Sequence, residues 1–509
     1  MKEVVPAVRH RPQTKRIAEC LGSRKVWDVV AVSFGRITRQ AVMVLVMAIA
    51  ARVLGREFVG VWALIYVVIQ FGALLGDSGI SLYVVREKEL DERGFATALS
   101  VSALLALAVG GITVAIGTPL ASVLGYSEFS WYFMASGAVV LPMTINSLLQ
   151  SRLRRDRRFA SILIADLAAS ITILVAFLIM LFRGAELWAL IVPTILGAIV
   201  GAAICVFFTG LPRPSLDLTR IRSIADYSLG LVGFNSIYYW ARNADHVLIG
   251  RFLGASSLGV YSVAYRIMML PLAQINATAH LVALPYLSPY QEDIPRLRNS
   301  LQQIIVVIGM LTTLPMICVW LERHLIVELI LGPQWSRVAD LLMVLAPLAI
   351  LQALVNPTGL CYQVTGRTKT LFVIGLIQTI VTVCSFIVGV WIGSIEAVVV
   401  CYAIINVIVL PLTIGVAMNT ISDTFTSWLR CCLPFFGCIA ACWIVTKIIP
   451  SNSNPWLQAL ITLFASAMCC LPFYLYAMVR AFPNLHGLSF AYWHKAKPSS
   501  SSSVAGPPC

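Results

Sequence analysis

The sequence is short of charge, and of acidic charge above all. Only 12% of its 509 residues are charged, and 23 Asp and Glu stand against 37 Lys and Arg, which leaves a formal net charge of +14. A soluble protein would carry about twice that charged fraction, roughly 25%. Hydrophobic residues make up 59% of the chain. The composition excludes an ordinary soluble protein and indicates an integral membrane protein.

Patterns typical of metal and redox sites are missing as well. The 13 cysteines include no CxxC pair and no Cys/His cluster. Most of them fall inside apolar segments, where a reduced thiol behaves as a small apolar side chain. We therefore predict no metal and no cofactor. The connections between apolar segments are short and leave no room for an extramembrane catalytic domain, so the chain is predicted not to be an enzyme such as a glycan polymerase or ligase.

Apolar runs of about 20 residues recur along the chain, and each is long enough to cross a bilayer as a helix. They predict an all-α integral membrane protein with about 14 transmembrane helices. Basic residues concentrate in the amino tail and in every second loop, which is the positive-inside pattern and predicts that both termini are cytoplasmic. Because topology accounts for the charge and no nucleic-acid-binding motif appears, we predict no nucleic-acid partner. The richest basic loop, residues 151–161, is interpreted as a topological anchor, with a surface for anionic lipid or a cytoplasmic partner as the alternative.

Two stretches of the chain match each other at a shift of 199 residues. Ala51–Leu64 aligns without gaps with Gly250–Val263. The matched pairs include Arg52 with Arg251, Leu54 with Leu253, Gly55 with Gly254, Gly60 with Gly259, Val61 with Val260 and Trp62 with Tyr261. In each copy the first glycine suits a helix end and the second suits close packing of the next helix. The match indicates an internal repeat, which decides the architecture.

Six predicted helices separate the two copies, so both enter the membrane from the same side. The repeat therefore predicts two parallel six-helix lobes around a central cavity, followed by two extra C-terminal helices. The predicted parts are a basic cytoplasmic tail at 1–27, an N-lobe at 28–211, a cytoplasmic linker at 212–226, a C-lobe at 227–418, the extra helices at 429–480 and a disordered cytoplasmic tail at 481–509.

A few polar side chains fall inside the first, seventh and eighth predicted helices, which the repeat places beside the central cavity. An arginine at the bilayer centre costs roughly 2.5–3.5 kcal/mol, so these residues are not expected to face lipid. Arginine forks suit phosphate or diphosphate oxygens, which predicts an anionic substrate. The predicted substrate-binding residues are Arg36, Arg39, Gln40, Asn235, Arg242 and Arg266.

Two acidic residues in the same regions have roles that the sequence leaves open. Asp245 lies three residues after Arg242, so the two side chains share a helix face and are candidates for a structural pair. Asp77 corresponds to Asn276 under the shift of 199 residues. Ion pairing or helix capping is the favoured role for Asp77, and a proton or sodium site is the alternative. We therefore predict a structural or coupling role for both acids.

The repeated stretches also resemble a known family. The segments NADHVLIGRFLGASSLGVYSVAYRIMMLPL at 243–272, AARVLGREFVGVWAL at 50–64 and GDSGISLYVVRE at 76–87 resemble the Wzx-type polysaccharide transporters of the multidrug/oligosaccharidyl-lipid/polysaccharide (MOP) flippase superfamily. The resemblance implies a two-lobed fold. It also implies translocation of polyprenyl-diphosphate-linked oligosaccharides across the bacterial inner membrane, by alternating access, for exopolysaccharide, capsule or lipopolysaccharide O-antigen synthesis.

The partners that the resemblance implies are the lipid-linked glycan, membrane lipids, and polysaccharide polymerase and export proteins. A second function within the superfamily, a cation-coupled drug or metabolite antiporter, remains the alternative. An antiporter of that kind would need buried acids in its cavity, whereas the intramembrane charges of this sequence are mainly arginines.

Overall fold

The computed structural model describes residues 24–87, 89–448 and 455–482. Regular structure in these residues is entirely helical, and the predicted tails lie largely outside them. The α-helices are α1 (Arg24–Asp77), α2 (Ile80–Arg86), α3 (Glu92–Leu124), α4 (Ser130–Arg155), α5 (Phe159–Phe182), α6 (Trp188–Thr209), α7 (Leu218–Leu253), α8 (Ala255–Leu287), α9 (Ile294–Leu321), α10 (Arg323–Leu331), α11 (Ser336–Val355), α12 (Gly359–Val364), α13 (Thr368–Ile392), α14 (Ile395–Thr420), α15 (Phe425–Ile448) and α16 (Pro455–Ala481).

Within the described residues, 12 helical segments are long and apolar enough to cross a membrane. The predicted all-α membrane class is confirmed, but the count of fourteen is not. One segment, Phe34–Asp77, covers two of the predicted helices, and α7 is not among the twelve. Serine, asparagine, tyrosine and arginine side chains lower the hydropathy of α7, so this helix is less suited to lipid than its neighbours.

The first glycine of each repeat turns the backbone in the same way. Gly55 interrupts α1 with φ 84° and ψ 179°, and Gly254 separates α7 from α8 with φ 88° and ψ 162°. A positive φ with ψ near 180° is open essentially to glycine alone. The matching conformations support the repeat that the sequence predicts.

The second glycine of each repeat brings the two turns into direct backbone contact, which we call the glycine crossing. A Cβ atom added to Gly60 would lie 1.8 Å from the carbonyl oxygen of Ala255, and one added to Gly259 would lie 2.1 Å from that of Arg56. Ala255 is the repeat counterpart of Arg56. The contact is therefore reciprocal: under the shift of 199 residues, the contact of Gly60 with Ala255 corresponds to the contact of Gly259 with Arg56. An isologous interface between two identical subunits has the same property.

The chain divides into two compact units. The first extends to Ser262 and includes Val390–Ile395, and the second comprises Val263–Gly389 and the chain from Glu396 onward. Both stretches of the glycine crossing belong mainly to the first unit. The lobe, linker and tail boundaries that the sequence predicts stay predictions.

Buried apolar side chains from α2 to α7 form a core in the first unit. This core includes Phe95, Leu149, Leu153 and Ile162. Leu149 and Leu153 are four residues apart on α4 and therefore lie one above the other on the same face. The residues that follow them, Gln150 and Arg154, are thereby fixed on the neighbouring stripe of α4, next to α5.

The arginines of the basic connection between α4 and α5 hold the ends of other helices. Arg155 Nη1 donates to the carbonyl of Val84 at 3.0 Å at the end of α2, and Arg158 Nη1 donates to that of Phe208 at 2.7 Å near the end of α6. Carbonyls at helix C-termini have no partner within their own helix, so an arginine satisfies them well. Beyond any topological role, this connection therefore ties together the helices of the first unit.

In the second unit, α16 packs on α9 through polar contacts at two depths. Gln303 Nε2 donates to the carbonyl of Ala481 at 2.9 Å, and the Tyr474 hydroxyl donates to the carbonyl of Met310 at 3.0 Å. The buried thiols Cys442 and Cys470 are free, with their sulfur atoms 3.7 Å apart between α15 and α16. The two C-terminal helices thus form part of the packing of this unit.

Candidate functional site

Charged and amide side chains meet where α1, α4 and α5 come together. Arg39 Nη1 lies 3.7 Å from Asp166 Oδ1. Gln150 Nε2 donates to the same carboxylate oxygen at 3.1 Å, and Arg154 Nη2 donates to Gln150 Oε1 at 3.1 Å. Arg36 lies within electrostatic reach of Arg154. We call these five residues the arginine cluster.

The arginine cluster has a buried acidic side and an open basic side. Asp166 is 7% exposed and Gln150 is 5% exposed, whereas half of the Arg39 side chain, 50%, is accessible. Its three guanidinium groups outnumber its one carboxylate, so a net positive charge remains. Accessible guanidinium forks next to a buried counter-ion are suited to bind an anion with charge-assisted hydrogen bonds.

Local packing explains how α1 reaches this position. A Cβ atom on Gly35 would lie 3.1 Å from Leu163 Cδ1 and 3.7 Å from Asp166 Oδ2, so the small residue lets α1 approach α5 closely. Arg36 and Arg39 follow on α1 and share one helix face because they are three residues apart. Asp166 lies about two turns into α5. With a rise of 1.5 Å per residue, it is about 10 Å from the start of the helix. The cluster therefore lies toward the α4–α5 connection.

The other predicted binding residues are spread over α1, α7 and α8. Gln40 is half-buried beside Arg39 on α1, and Asn235 is half-buried on α7. Arg242, also on α7, donates to the Tyr238 hydroxyl at 3.1 Å and lies over its ring. Arg266 belongs to the part of α8 in the second unit. A common cavity lined by all the predicted arginines stays a prediction.

Asp77 lies at the turn between α1 and α2. It accepts a hydrogen bond from the hydroxyl of Ser81, and that hydroxyl is 3.3 Å from the hydroxyl of Ser147 on α4. The structural or coupling role of Asp77 stays a prediction. Asp77 also lies within electrostatic reach of Arg154, so it adds negative charge near the arginine cluster.

Asp245 is buried among hydrogen-bond donors on α7 and α8. The Tyr261 hydroxyl donates to Asp245 Oδ2 at 2.7 Å, and the backbone N–H and ring Nδ1 of His246 lie 2.8 and 2.9 Å from Oδ1. Asp245 is 2% exposed and Tyr261 is 0% exposed. These contacts favour a structural role for Asp245, and its pairing with Arg242 stays a prediction.

Replacing Tyr261 by phenylalanine should destabilise the protein. The change removes the donor of a fully buried carboxylate oxygen, and an unsatisfied buried acceptor costs about 1–3 kcal/mol. Thermal unfolding of the purified protein in detergent should therefore give a clearly lower midpoint for Tyr261→Phe. The matched control is Tyr476→Phe, whose side chain is 56% exposed on α16. Equal midpoints for the two variants would contradict the stabilising role of the Tyr261 hydroxyl.

For three residues of the arginine cluster, the sequence led to no predicted binding role. Arg154 was included in the basic connection, and Asp166 and Gln150 were given no binding role. A signal was present, because Gln150 and Arg154 are four residues apart on one helix face and Asp166 is an acid inside an otherwise apolar helix. In the described residues, no group of three or more His, Cys, Asp or Glu is arranged to hold a metal.

The second unit contains a large apolar groove with a volume of about 550 Å³. It is lined by α8, by α9 and by Phe482 just after α16, and its side chains include Ile275, Ile304 and Leu311. Gln303, which donates to the carbonyl of Ala481 at the end of α16, also lines the groove. Such a groove is suited to a long hydrocarbon chain rather than to a polar ligand.

Solved structures with the same fold support the membrane-transporter architecture. The chain resembles the lipid II flippase MurJ in an inward closed conformation, with a TM-score of 0.69 and 13% identity over 91% of this chain and 100% of that one. It also resembles an inward-facing multidrug resistance MATE family transporter of the MOP superfamily, with a TM-score of 0.64 and 16% identity over 75% of this chain and 94% of that one. At these identities the likeness concerns the fold.

Sequence relatives point to polysaccharide transport. The chain is 22% identical to the lipopolysaccharide biosynthesis protein WzxC of Escherichia coli, over 67% of this chain and 70% of the relative. It is 26% identical to the succinoglycan biosynthesis transport protein ExoT of Rhizobium meliloti, over 71% and 74%. The family profile described as "Polysaccharide biosynthesis protein" matches residues 49–340, more than half of the chain. The resemblance stated from the sequence is thereby confirmed, and the chain belongs to the polysaccharide biosynthesis protein family of multi-pass membrane transporters.

Proposed function

We propose that this protein moves polyprenyl-diphosphate-linked oligosaccharide units across the bacterial inner membrane, with both termini in the cytoplasm. The observation that carries the proposal is the arginine cluster, in which Arg36, Arg39 and Arg154 outnumber the single buried acid Asp166. A diphosphate bears charged oxygens that match guanidinium forks. The position of the cluster near the α4–α5 connection, which the charge pattern predicts to be cytoplasmic, suits loading from the side where lipid-linked precursors are made.

The lipid and the glycan have separate places in this proposal. The prenyl chain stays in the lipid of the bilayer, while the arginine cluster of the first unit binds the diphosphate. The glycan passes along α7, which is too polar to count among the apolar spans and which exposes Phe234 and Tyr238, stacked at 6.2 Å with an 8° angle between their rings. Exposed aromatic side chains beside Arg242 suit a sugar, which has both apolar and hydroxyl-bearing faces.

The proposed mechanism is alternating access. The glycine crossing joins the turns after the first and seventh predicted helices, which the predicted topology places on the outer side. Its close contact is therefore the closed outer end of an inward-loaded state, and the crossing separates when the substrate leaves on the other side. Polymerase and export proteins are then the partners that receive the translocated glycan.

A reconstituted assay tests this proposal. The full-length protein is placed in vesicles with a polyprenyl-diphosphate saccharide that carries a fluorophore on the sugar, and membrane-impermeant dithionite is added. We expect quenching to proceed from about half of the fluorophore, in the outer leaflet, to nearly all of it. Protein-free vesicles and a phosphatidylcholine analogue with the same fluorophore are the controls. Quenching that stops at the outer leaflet in vesicles with folded protein would contradict the proposal.

The same vesicles separate the proposed function from the antiporter alternative. A cation-coupled antiporter would take up a cationic drug against its gradient when a proton or sodium gradient is imposed. With the flippase, such a drug should enter the vesicles only at its passive rate, because an excess of guanidinium groups repels a cationic substrate. Gradient-driven drug uptake without glycolipid movement would favour the antiporter.

A further inference from the structure

Asp166 is placed to compete with an anionic ligand for Arg39. Its carboxylate is almost completely buried and touches the guanidinium of Arg39 at 3.7 Å, while half of the Arg39 side chain remains accessible on the other side. The separation is long for a charge-assisted hydrogen bond, for which about 2.7–2.9 Å is typical. The pair is thus close enough for attraction and loose enough to be exchanged for a better-fitting anion.

Gln150 holds Asp166 in this position. Its amide nitrogen donates to Asp166 Oδ1, and its amide oxygen accepts from Arg154. The same carboxylate oxygen therefore faces both Gln150 and Arg39. An amide locked between an acid and an arginine keeps its orientation, so Asp166 stays fixed when Arg39 moves to a ligand. The carboxylate is a permanent feature of the site, to which Arg39 can return.

Transport gives such an internal competitor a purpose. A site that holds a diphosphate with several guanidinium groups binds tightly and releases slowly, and a transporter must bind its cargo firmly enough to load it and weakly enough to release it. A fixed carboxylate that competes for Arg39 lowers the net affinity of the arginine cluster for the diphosphate, both when the substrate is loaded and when it is released. It also gives Arg39 a partner when the site is empty, which reduces the cost of keeping a charge in the membrane.

We propose that Asp166 is an internal counter-ion that occupies Arg39 until a diphosphate group replaces it, and that it thereby sets the affinity and release rate of the substrate. This inference rests on the proposed function of the arginine cluster as a diphosphate site. Asp166 is a positioning and specificity-determining residue in this proposal, since it acts through Arg39 and does not touch the substrate.

The test measures binding of farnesyl diphosphate, a short prenyl diphosphate, to the purified full-length protein by calorimetry. Asp166→Asn keeps the shape and removes the charge, and it should tighten binding about three- to tenfold, the range expected when one competing partly exposed ion pair is lost. Asp166→Glu keeps the charge, so its affinity for farnesyl diphosphate should lie within about twofold of that of the original protein. Asp156→Asn removes a negative charge from the same end of α4, where it pairs with Arg152, and should change affinity less than twofold because it does not touch Arg39.

A double-mutant cycle separates this role from a merely structural one. In an Arg39→Ala background, Asp166→Asn should no longer change the affinity, because the competition that it removes needs Arg39. Transport by Asp166→Asn in the dithionite assay should be slower at saturating substrate, since release becomes limiting. If Asp166→Asn does not fold, Asp166→Ser decides, because it removes the same charge and leaves a hydroxyl, and it should tighten binding by a similar factor, about three- to tenfold.

The outcomes distinguish this inference from the proposed function itself. Failure of the original protein to bind farnesyl diphosphate would refute the diphosphate site. Binding by the original protein that is weakened in Arg39→Ala, but unchanged or also weakened in folded Asp166→Asn, would leave the site in place and refute the counter-ion. Unchanged or weakened binding by folded Asp166→Ser would refute the counter-ion in the same way.

Discussion

Replacing Arg39 by alanine should abolish or sharply reduce glycolipid translocation while leaving the amount of protein in the membrane unchanged. The Arg39 guanidinium is the accessible member of a pair with a buried acid, so it is the part of the arginine cluster best placed to contact a ligand. Loss of one charge-assisted contact should cost about 1.5–3 kcal/mol, or roughly one to two decades in substrate affinity. The measurements are the dithionite assay and farnesyl diphosphate binding.

Two further variants define what the Arg39 result means. Arg39→Lys should restore activity only in part, because lysine keeps the charge but loses the planar fork. Arg337→Ala is the matched control: it removes one arginine that pairs with Glu396 at 3.0 Å on an accessible surface of the second unit. Full translocation by a stable Arg39→Ala variant, with Arg337→Ala also active, would refute the arginine cluster as the binding site.

Replacing Gly60 by alanine should open the glycine crossing. A Cβ atom 1.8 Å from a backbone oxygen cannot be accommodated by turning a side chain, so the two turns must move apart. Overpacking of this kind typically costs about 1–3 kcal/mol and occasionally more. We expect a lower midpoint of thermal unfolding in detergent and a strong loss of translocation. Because the contact is reciprocal, Gly259→Ala should have a similar effect.

The control for the glycine variants is Gly111→Ala. Gly111 lies within α3, and a Cβ atom there would have no heavy atom within 4 Å. Alanine is favoured over glycine inside a helix by about 1 kcal/mol, so this variant should be as stable as the original or slightly more so. A Gly60→Ala protein with an unchanged midpoint and unchanged transport would show that the crossing tolerates separation and is not a closed end of the transport path.

The fold class and the internal repeat could be predicted because both leave strong periodic signals. Apolar runs indicate membrane helices directly. The repeat keeps Gly55 and Gly254 because both positions have a backbone conformation that other residues avoid. The number of helices was harder to predict. The helices on either side of the kink at Gly55 follow each other without a loop and count as one span, and the polar character of α7 removes it from the apolar set.

The arginine cluster could be predicted only in part. Arg36 and Arg39 stand out because a charge inside an apolar run is costly. Arg154 does not, since it lies among arginines at the end of α4, and most of these are used to hold carbonyl groups and acids at neighbouring helix ends. Only the packing of α1 against α5 at Gly35 shows that Asp166 meets Arg39. Contacts between helices distant in sequence carry no local pattern.

The glycine crossing has a consequence for how the two copies have been able to diverge. A contact that maps onto itself is the kind made by two identical subunits, and in such a pair every substitution is present twice. Fusion of the copies into one chain removes that restriction. Where the second copy has the hydrogen-bonded Asp245 and Tyr261, the first has the buried Val46 and Trp62 at the corresponding positions. One copy can thus gain a polar pair that the other lacks. At the glycine crossing, by contrast, both copies must keep a glycine, because each glycine packs against the backbone of the other copy.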